Sequence, residues 1–286
     1  MENPWKNFVK ELESGSSKEG ELVLKGDKDI LKKVIDELEE KISRKGKEVS
    51  AAMIGQKIQT SLYPEPFIGN PRKAKILLLG SNPGFEGGEK LYHDNYTAKG
   101  ESFIKLVLKN LDWENQEVSF YYLDPNLKDL INPKEIHPGY TWWQSALKDI
   151  LKKLAGSEGD KFHKISNSVA YLEFFPYHSA RFPGRFKTPK NYLPSQEYTF
   201  NLLTNIINGA KSREDIKIVV LRIDQGMWIR KFKNEFEELK NAGKCYFLKP
   251  SGKGPSSISL NEARLGKTEF NEIVRIINDS PMPNNS

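Results

Sequence analysis

Four short stretches of the chain are almost continuously apolar: Ile76-Leu77-Leu78-Leu79, Val169 to Phe175, Ile216 to Leu221, and Cys245 to Leu248. Runs of this length that stop at Gly or Pro, or at a polar loop, predict strands buried on both faces. Elsewhere the apolar residues recur at helical spacing. Ile30, Leu31, Val34, Ile35, Leu38 and Ile42 follow Asp27, a residue able to cap a helix, and precede Gly46. Phe103, Ile104, Val107, Leu108 and Leu111 mark a second helix, and Trp143, Leu147, Ile150, Leu151 and Leu154, closed by Gly156, a third. Residues 195–208 before Gly209, residues 224–242, and residues 267–277 with Phe270, Ile273, Val274 and Ile277 inward predict three more. Strands alternating with helices at this rhythm predict an α/β fold: three layers around a central four-stranded parallel sheet, with right-handed crossovers. The helix after Asp27 belongs to an N-terminal extension expected to join the same folded unit. Residues 1–25 are ambiguous. Pro64, Pro66, Gly69 and Pro71 mark an extended entry into the first strand, beside the mouth of any site at the strand ends. Residues 279–286 read as a disordered tail.

Composition narrows the class. A chain of 286 residues fits one large domain, or one with an extension, and can bury a sizeable core without disulfides. Its one cysteine, Cys245, lies in an apolar run, and its four histidines show no zinc or iron–sulfur spacing, so neither a metal nor a cofactor is expected. No run approaches the ~18 apolar residues of a membrane span, and Met1 to Glu13 lacks a long apolar core. A soluble, cytoplasmic monomer that does not engage membranes is expected.

Charge is informative through its distribution. Arg181, Arg185, Lys187 and Lys190 give +4 with no acid between them, and Lys244, Lys249, Lys253, Arg264 and Lys267 against Glu262 give another +4; the chain's net +6 therefore leaves −2 for everything else. Basic loops near strand ends suit a phosphate backbone, and equally a solvated surface.

The first apolar run ends abruptly in Gly80-Ser81-Asn82-Pro83-Gly84-Phe85. In open parallel sheets ligands bind outside the carboxyl ends of the strands. Gly80 and Gly84 are able to take positive φ and to let backbone N–H groups approach a ligand, while Pro83 holds Asn82 extended. Asn82 then either bonds its own backbone in a turn, or is presented rigidly to accept a hydrogen bond from a water and position it. Glu86 to Asn95 is too polar and glycine-rich for core and reads as a loop over the site.

These residues resemble a known family. Gly80-Ser81-Asn82-Pro83-Gly84 is similar at every fixed position to Gly-x-Asn-Pro-Gly, the first motif of the mismatch-specific thymine/uracil branch of the uracil-DNA glycosylase superfamily. Cys245 to Gly252, with Pro250-Ser251-Gly252, resembles that superfamily's last strand and second motif, x-Pro-Ser-Gly. The two motifs stand in the right order, each at a strand end. The resemblance covers about residues 62–278 and leaves 1–61 as a helical N-terminal extension without counterpart.

The resemblance implies a uracil-DNA glycosylase-like fold, DNA as partner, and a monofunctional DNA N-glycosylase that extrudes a base and hydrolyses its glycosidic bond. Such a reaction needs a placed water and stabilisation of a leaving anion more than it needs a strong base. Asn82 is the implied water-positioning residue. Lys249 stands where relatives carry His or Asn, and its ammonium would stabilise the departing base or hold a phosphate; nothing adjacent marks it as a nucleophile. Gly80, Ser81, Gly84 and Phe85 would line the base, and Phe103 stands where relatives stack an aromatic on it, although it also fits an ordinary apolar helix face. Arg181, Arg185, Lys187, Ser251, Gly252 and Lys253 would hold DNA. Lys253 to Ser259 is placed like the family's wedge loop, with Ile258 its one bulky apolar candidate.

Glu173 aligns loosely with an asparagine that reads the uracil edge in several relatives. A carboxylate only accepts hydrogen bonds, which disfavours uracil O4 and suits a cytosine-type amino group. A modified cytosine, of the kind found in phage DNA, is the preferred substrate, with defence against phage as a role. An ordinary uracil/thymine mismatch glycosylase and a non-catalytic nucleic-acid- or nucleotide-binding protein are the alternatives.

Overall fold

The computed structural model describes residues 2–15, 21–87, 97–98, 101–125, 137–213, 216–220, 226–249 and 259–281. Its strands are β1 (Phe67–Ile68), β2 (Ile76–Gly80), β3 (Thr97–Ala98), β4 (Glu101–Ser102), β5 (Val169–Glu173), β6 (Lys217–Val220) and β7 (Cys245–Phe247). β3 and β4 pair as a separate ribbon, and the others form one five-stranded sheet in the order β1-β5-β2-β6-β7. The four apolar runs supply the four parallel strands. The expected four-stranded parallel sheet is nevertheless corrected to a five-stranded mixed one, because β1 pairs antiparallel to β5 with Phe67 opposite Leu172 and Ile68 opposite Tyr171. β1 is only two residues long and follows Pro66, too short for any periodicity to reveal. Gly69, at φ 77°, turns the chain away where a Cβ would meet the Val169 carbonyl at 2.8 Å.

Alternate residues of the strands point to opposite faces. Leu77, Leu79, Ala170, Leu172 and Ile218 face one apolar cluster, and Ile76, Leu78, Val169, Tyr171 and Val219 the other. The first face is covered by the helix Pro194–Ala210, through Phe200, Leu203 and Ile207, by Trp228, Phe232 and Phe236, and by Trp5, Phe8 and Leu31 of the N-terminal extension. The second is covered by Phe103, Trp143, Ile150, Ile165 and the helix Lys267–Asn278. The chain is thus a mixed α/β structure with helices on both faces of the sheet.

Several helices depart from their expected outlines. The third splits into Pro138–Ala146 and Lys148–Lys153 at Leu147, and residues 227–241 split at Phe232, whose φ of −125° and ψ of 37° lie outside the helical region. Gly209 does not close its helix, which runs on to Ala210. The helix Glu158–Ser168, opened by a Ser157/Asp160 capping box, was not foreseen. The expected tail lies outside the described residues from 282 onward.

Asp27 precedes the helix Lys28–Lys45 but does not cap it with its side chain. Its carboxylate turns inward, accepting the Ser195 N–H at 3.1 Å and the Tyr177 hydroxyl at 2.7 Å. The charge therefore lies at the start of a different helix, Pro194–Ala210, where exposed N–H groups favour an anion. Trp5 meets the Tyr177 ring edge-on at 6.4 Å, so the extension is packed onto the segment that follows β5.

Candidate functional site

The carboxyl end of β2 opens into the first motif, and β5 carries that loop. Phe174 N–H donates to Gly80 O, Phe175 N–H to Ser81 O, and Ser179 N–H to Pro83 O, at 3.2, 3.0 and 3.2 Å. The ladder between the two strands thus runs beyond the sheet and along the motif. The Trp228 indole N–H adds a bond of 2.5 Å to Gly80 O. Neither Gly80 nor Gly84 takes positive φ, contrary to the expectation. Gly80 is needed for space instead: a Cβ there would lie 1.7 Å from the Tyr171 hydroxyl.

Asn82 is half-buried and its carboxamide is locked. Nδ2 donates to Pro83 O at 2.8 Å, Ser179 O at 2.8 Å and Ser179 Oγ at 3.0 Å, while Ser81 Oγ donates to Oδ1 at 3.2 Å. Two of the three partners of Nδ2 are carbonyls, which only accept, so the network itself fixes which way the amide points. The local bond to Pro83 is a turn interaction, and the bonds to Ser179 span 97 residues. An amide oxygen has two lone pairs, so Oδ1 retains capacity for one further donor.

Glu173 closes β5 directly opposite Gly80 in the register. It is buried, and its Oε1 accepts the Tyr171 hydroxyl at 2.6 Å. Glu173 and Asn82 are therefore brought to the same end of adjacent strands. Phe103 is enclosed, with ring centroids of His137 at 4.8 Å, Tyr121 at 5.6 Å and Tyr122 at 5.7 Å. Phe85 is half-buried beyond the motif. Lys249 is exposed past β7, with β6 between it and β2; its N–H donates to Arg264 O, and its carbonyl accepts from Arg264 Nε. Arg181 and Lys187 are exposed, whereas Arg185 pairs with Glu37 at 2.5 Å. Ser251, Gly252, Lys253 and Ile258, with most of the loop over the site, lie outside the described residues. Cys245 is a buried thiol whose pKa burial pushes up to about 12.

A second buried group at this end was missed from sequence. Glu65 accepts the Tyr121 hydroxyl at 3.1 Å and the Tyr122 hydroxyl at 2.8 and 2.9 Å. His178 Nε2 stands 3.3 Å from Glu65 Oε1 and 3.1 Å from Tyr63 O, and His178 Nδ1 lies 2.8 Å from Gly84 O, at the end of the motif. Burial first, and then the Glu65 charge, raise the Tyr121 pKa well above its ordinary value. His137 lies nearby and its Nδ1 accepts from Gly139 N–H at 2.9 Å, capping a helix. Burial lowers its pKa to about 4, opposed by the Glu65 charge and assisted by that of His178, so His137 is neutral at pH 7. One acid alone among Leu62, Tyr63, Pro64, Pro66 and Phe67 was the available signal.

No protein-family model matches the chain, and no curated protein or solved structure matches it significantly. Among the described residues no helix is long and apolar enough to cross a membrane, and no group of three or more His, Cys, Asp or Glu is placed to hold a metal ion.

Proposed function

We propose that the chain is a monofunctional DNA glycosylase of uracil-DNA glycosylase-like fold, which hydrolyses the bond between an extruded base and its sugar. The observation that carries this reading is the fixed amide of Asn82: with Nδ2 committed to Pro83 and Ser179, the atom offered at the strand ends is the acceptor Oδ1. An acceptor held rigidly is what aligning a water for attack at C1′ requires, and it supplies orientation rather than basicity. A modified cytosine is the substrate that Glu173 favours. Its carboxylate, oriented by Tyr171, accepts from an exocyclic amino group but opposes uracil O4. Such a mismatch costs roughly 1–3 kcal/mol, enough to disfavour uracil by tenfold or more. Excision of such bases from phage DNA would make this a defence enzyme.

The deciding experiment is abasic-site formation on DNA carrying a panel of modified bases. Cleavage of 5-modified cytosines above uracil, with Glu173→Asn gaining uracil activity, is the expected result. The short Tyr171–Glu173 bond favours a second reading, in which the carboxylate serves the sheet and uracil is the substrate. Efficient cleavage of uracil opposite guanine, with none of 5-modified cytosines, would establish that reading instead. No abasic product from any base would leave a binding protein.

A further inference from the structure

We infer that His178 is held as an imidazolium by Glu65, and that this buried charge pair is the positioning device that sets the Asn82 loop. Both side chains are almost fully enclosed, 3% and 5% exposed. Nδ1 of His178 faces the Gly84 carbonyl, and Nε2 faces the Tyr63 carbonyl and the Glu65 carboxylate. Carbonyls never donate, so a neutral ring would set one nitrogen lone pair against a carbonyl; only the doubly protonated ring satisfies these three contacts together. The positive charge then needs a counter-charge, and Glu65 supplies it, itself held by the Tyr121 and Tyr122 hydroxyls. Tyr121 keeps its proton, its pKa held well above the ordinary value by burial, and His137, which also feels both charges, is neutral at pH 7.

The geometry links the pair to Asn82 in two ways. His178 takes the carbonyl of Gly84, two residues after Asn82, and so anchors the far end of the motif. Ser179, the next residue, receives the Asn82 amide on both its carbonyl and its hydroxyl, and donates its own N–H to Pro83. Shifting the 178–179 backbone would therefore rotate the Asn82 carboxamide. Neither Glu65 nor His178 has to touch substrate, so both act as positioning residues. The inference rests on the proposed function for its catalytic consequence, but not for the state of the ring.

Two sets of measurements keep these claims apart. Nitrogen-15 NMR of the wild-type imidazole needs no variant: both His178 nitrogens should resonate as protonated from pH 5 to pH 8, and a neutral ring at pH 7 would overturn the charge pair. In Glu65→Gln the ring should be neutral at pH 7, and hydrogen exchange of the Ser179 amide should quicken at least tenfold with the sheet amides unchanged. The milder Tyr122→Phe should move the exchange in the same direction. Unaltered Ser179 protection in a folded His178→Ala protein would also overturn the inference. On a cleavable duplex Glu65→Gln and His178→Ala should each lower the single-turnover rate at least tenfold with DNA affinity retained, and His178→Asn, which keeps an N–H toward Gly84, should lose less than His178→Ala. If the wild type cleaves no base while the ring is charged and Ser179 responds, the pair stands and the glycosylase reading falls. If cleavage proceeds with a neutral ring, the reverse holds.

Discussion

Asp27 and Glu65 are both buried carboxylates, and both accept tyrosine hydroxyls. Asp27 lies against the first residues of the helix Pro194–Ala210, where a backbone N–H and a helix terminus welcome an anion. Glu65 lies at the carboxyl end of the sheet, where two phenols and an imidazole converge on it. The first arrangement accounts for its charge through architecture alone: it fastens one helix to another segment. The second gathers ionisable side chains beside a loop whose asparagine is aimed, and architecture alone gives no reason to bring a histidine there. A buried charge becomes a candidate for function through the company it keeps, not through its burial.

The comparison is sharpened most by Asn82→Ala. On the glycosylase reading it should lower single-turnover cleavage by about 10²–10³-fold, with DNA affinity nearly unchanged, as expected for a group that acts only in the transition state. An unchanged rate would remove Asn82 from the mechanism. At the other carboxylate the large effect should fall on stability. Asp27→Ala leaves the Ser195 N–H and the Tyr177 hydroxyl buried without their acceptor, at about 2–5 kcal/mol in a denaturant titration, while the folded protein keeps its cleavage rate. Loss of rate in proportion to stability would break the distinction between the two sites.

Asp27→Asn should be milder and should show itself through pH. Burial raises the Asp27 pKa above 3.8, against the opposing hydrogen bonds, so the folded state holds this proton more tightly than the unfolded chain does. Its contribution is complete below 3.8 and is lost as pH rises through the elevated native value. The variant lacks that titration, so wild type should lose stability relative to it across that range and run parallel above it. The smallest effect concerns the basic loop. Arg181→Ala with Arg185→Ala should weaken binding to all DNA sequences alike and flatten the slope of log affinity against log salt by about 1 rather than 2, because Arg185 is already committed to Glu37. No change in slope would make the loop ordinary solvated surface.

Much of the scaffold was legible because its signals are local. Four apolar runs became four parallel strands, and the loop that ends one of them carries the asparagine of the candidate site. What escaped depended on residues distant in the chain. Asp27 satisfies the local rule for a helix cap, yet a tyrosine 150 positions away and a backbone N–H 168 positions away compete for its carboxylate and win. Glu65 reads as an exposed acid because charged residues seldom lie inside, and its first tyrosine partner is 56 positions away. Gly80 is required for space and not for a left-handed backbone: the Tyr171 side chain forbids a Cβ there.

Tyr177, His178 and Ser179 are consecutive, and they bond in turn to Asp27, Glu65 and Asn82. The N-terminal helices and the strand-end loop therefore hold two sides of one three-residue segment. A shortened chain beginning near residue 62 would strip Tyr177 of its acceptor and Trp5 from its ring, and would uncover the sheet face that Trp5, Phe8 and Leu31 cover. The N-terminal segment is therefore not a detachable module that could be trimmed for crystallisation without loss of stability. Any gene fusion or recombination that preserves the fold has to inherit both parts together.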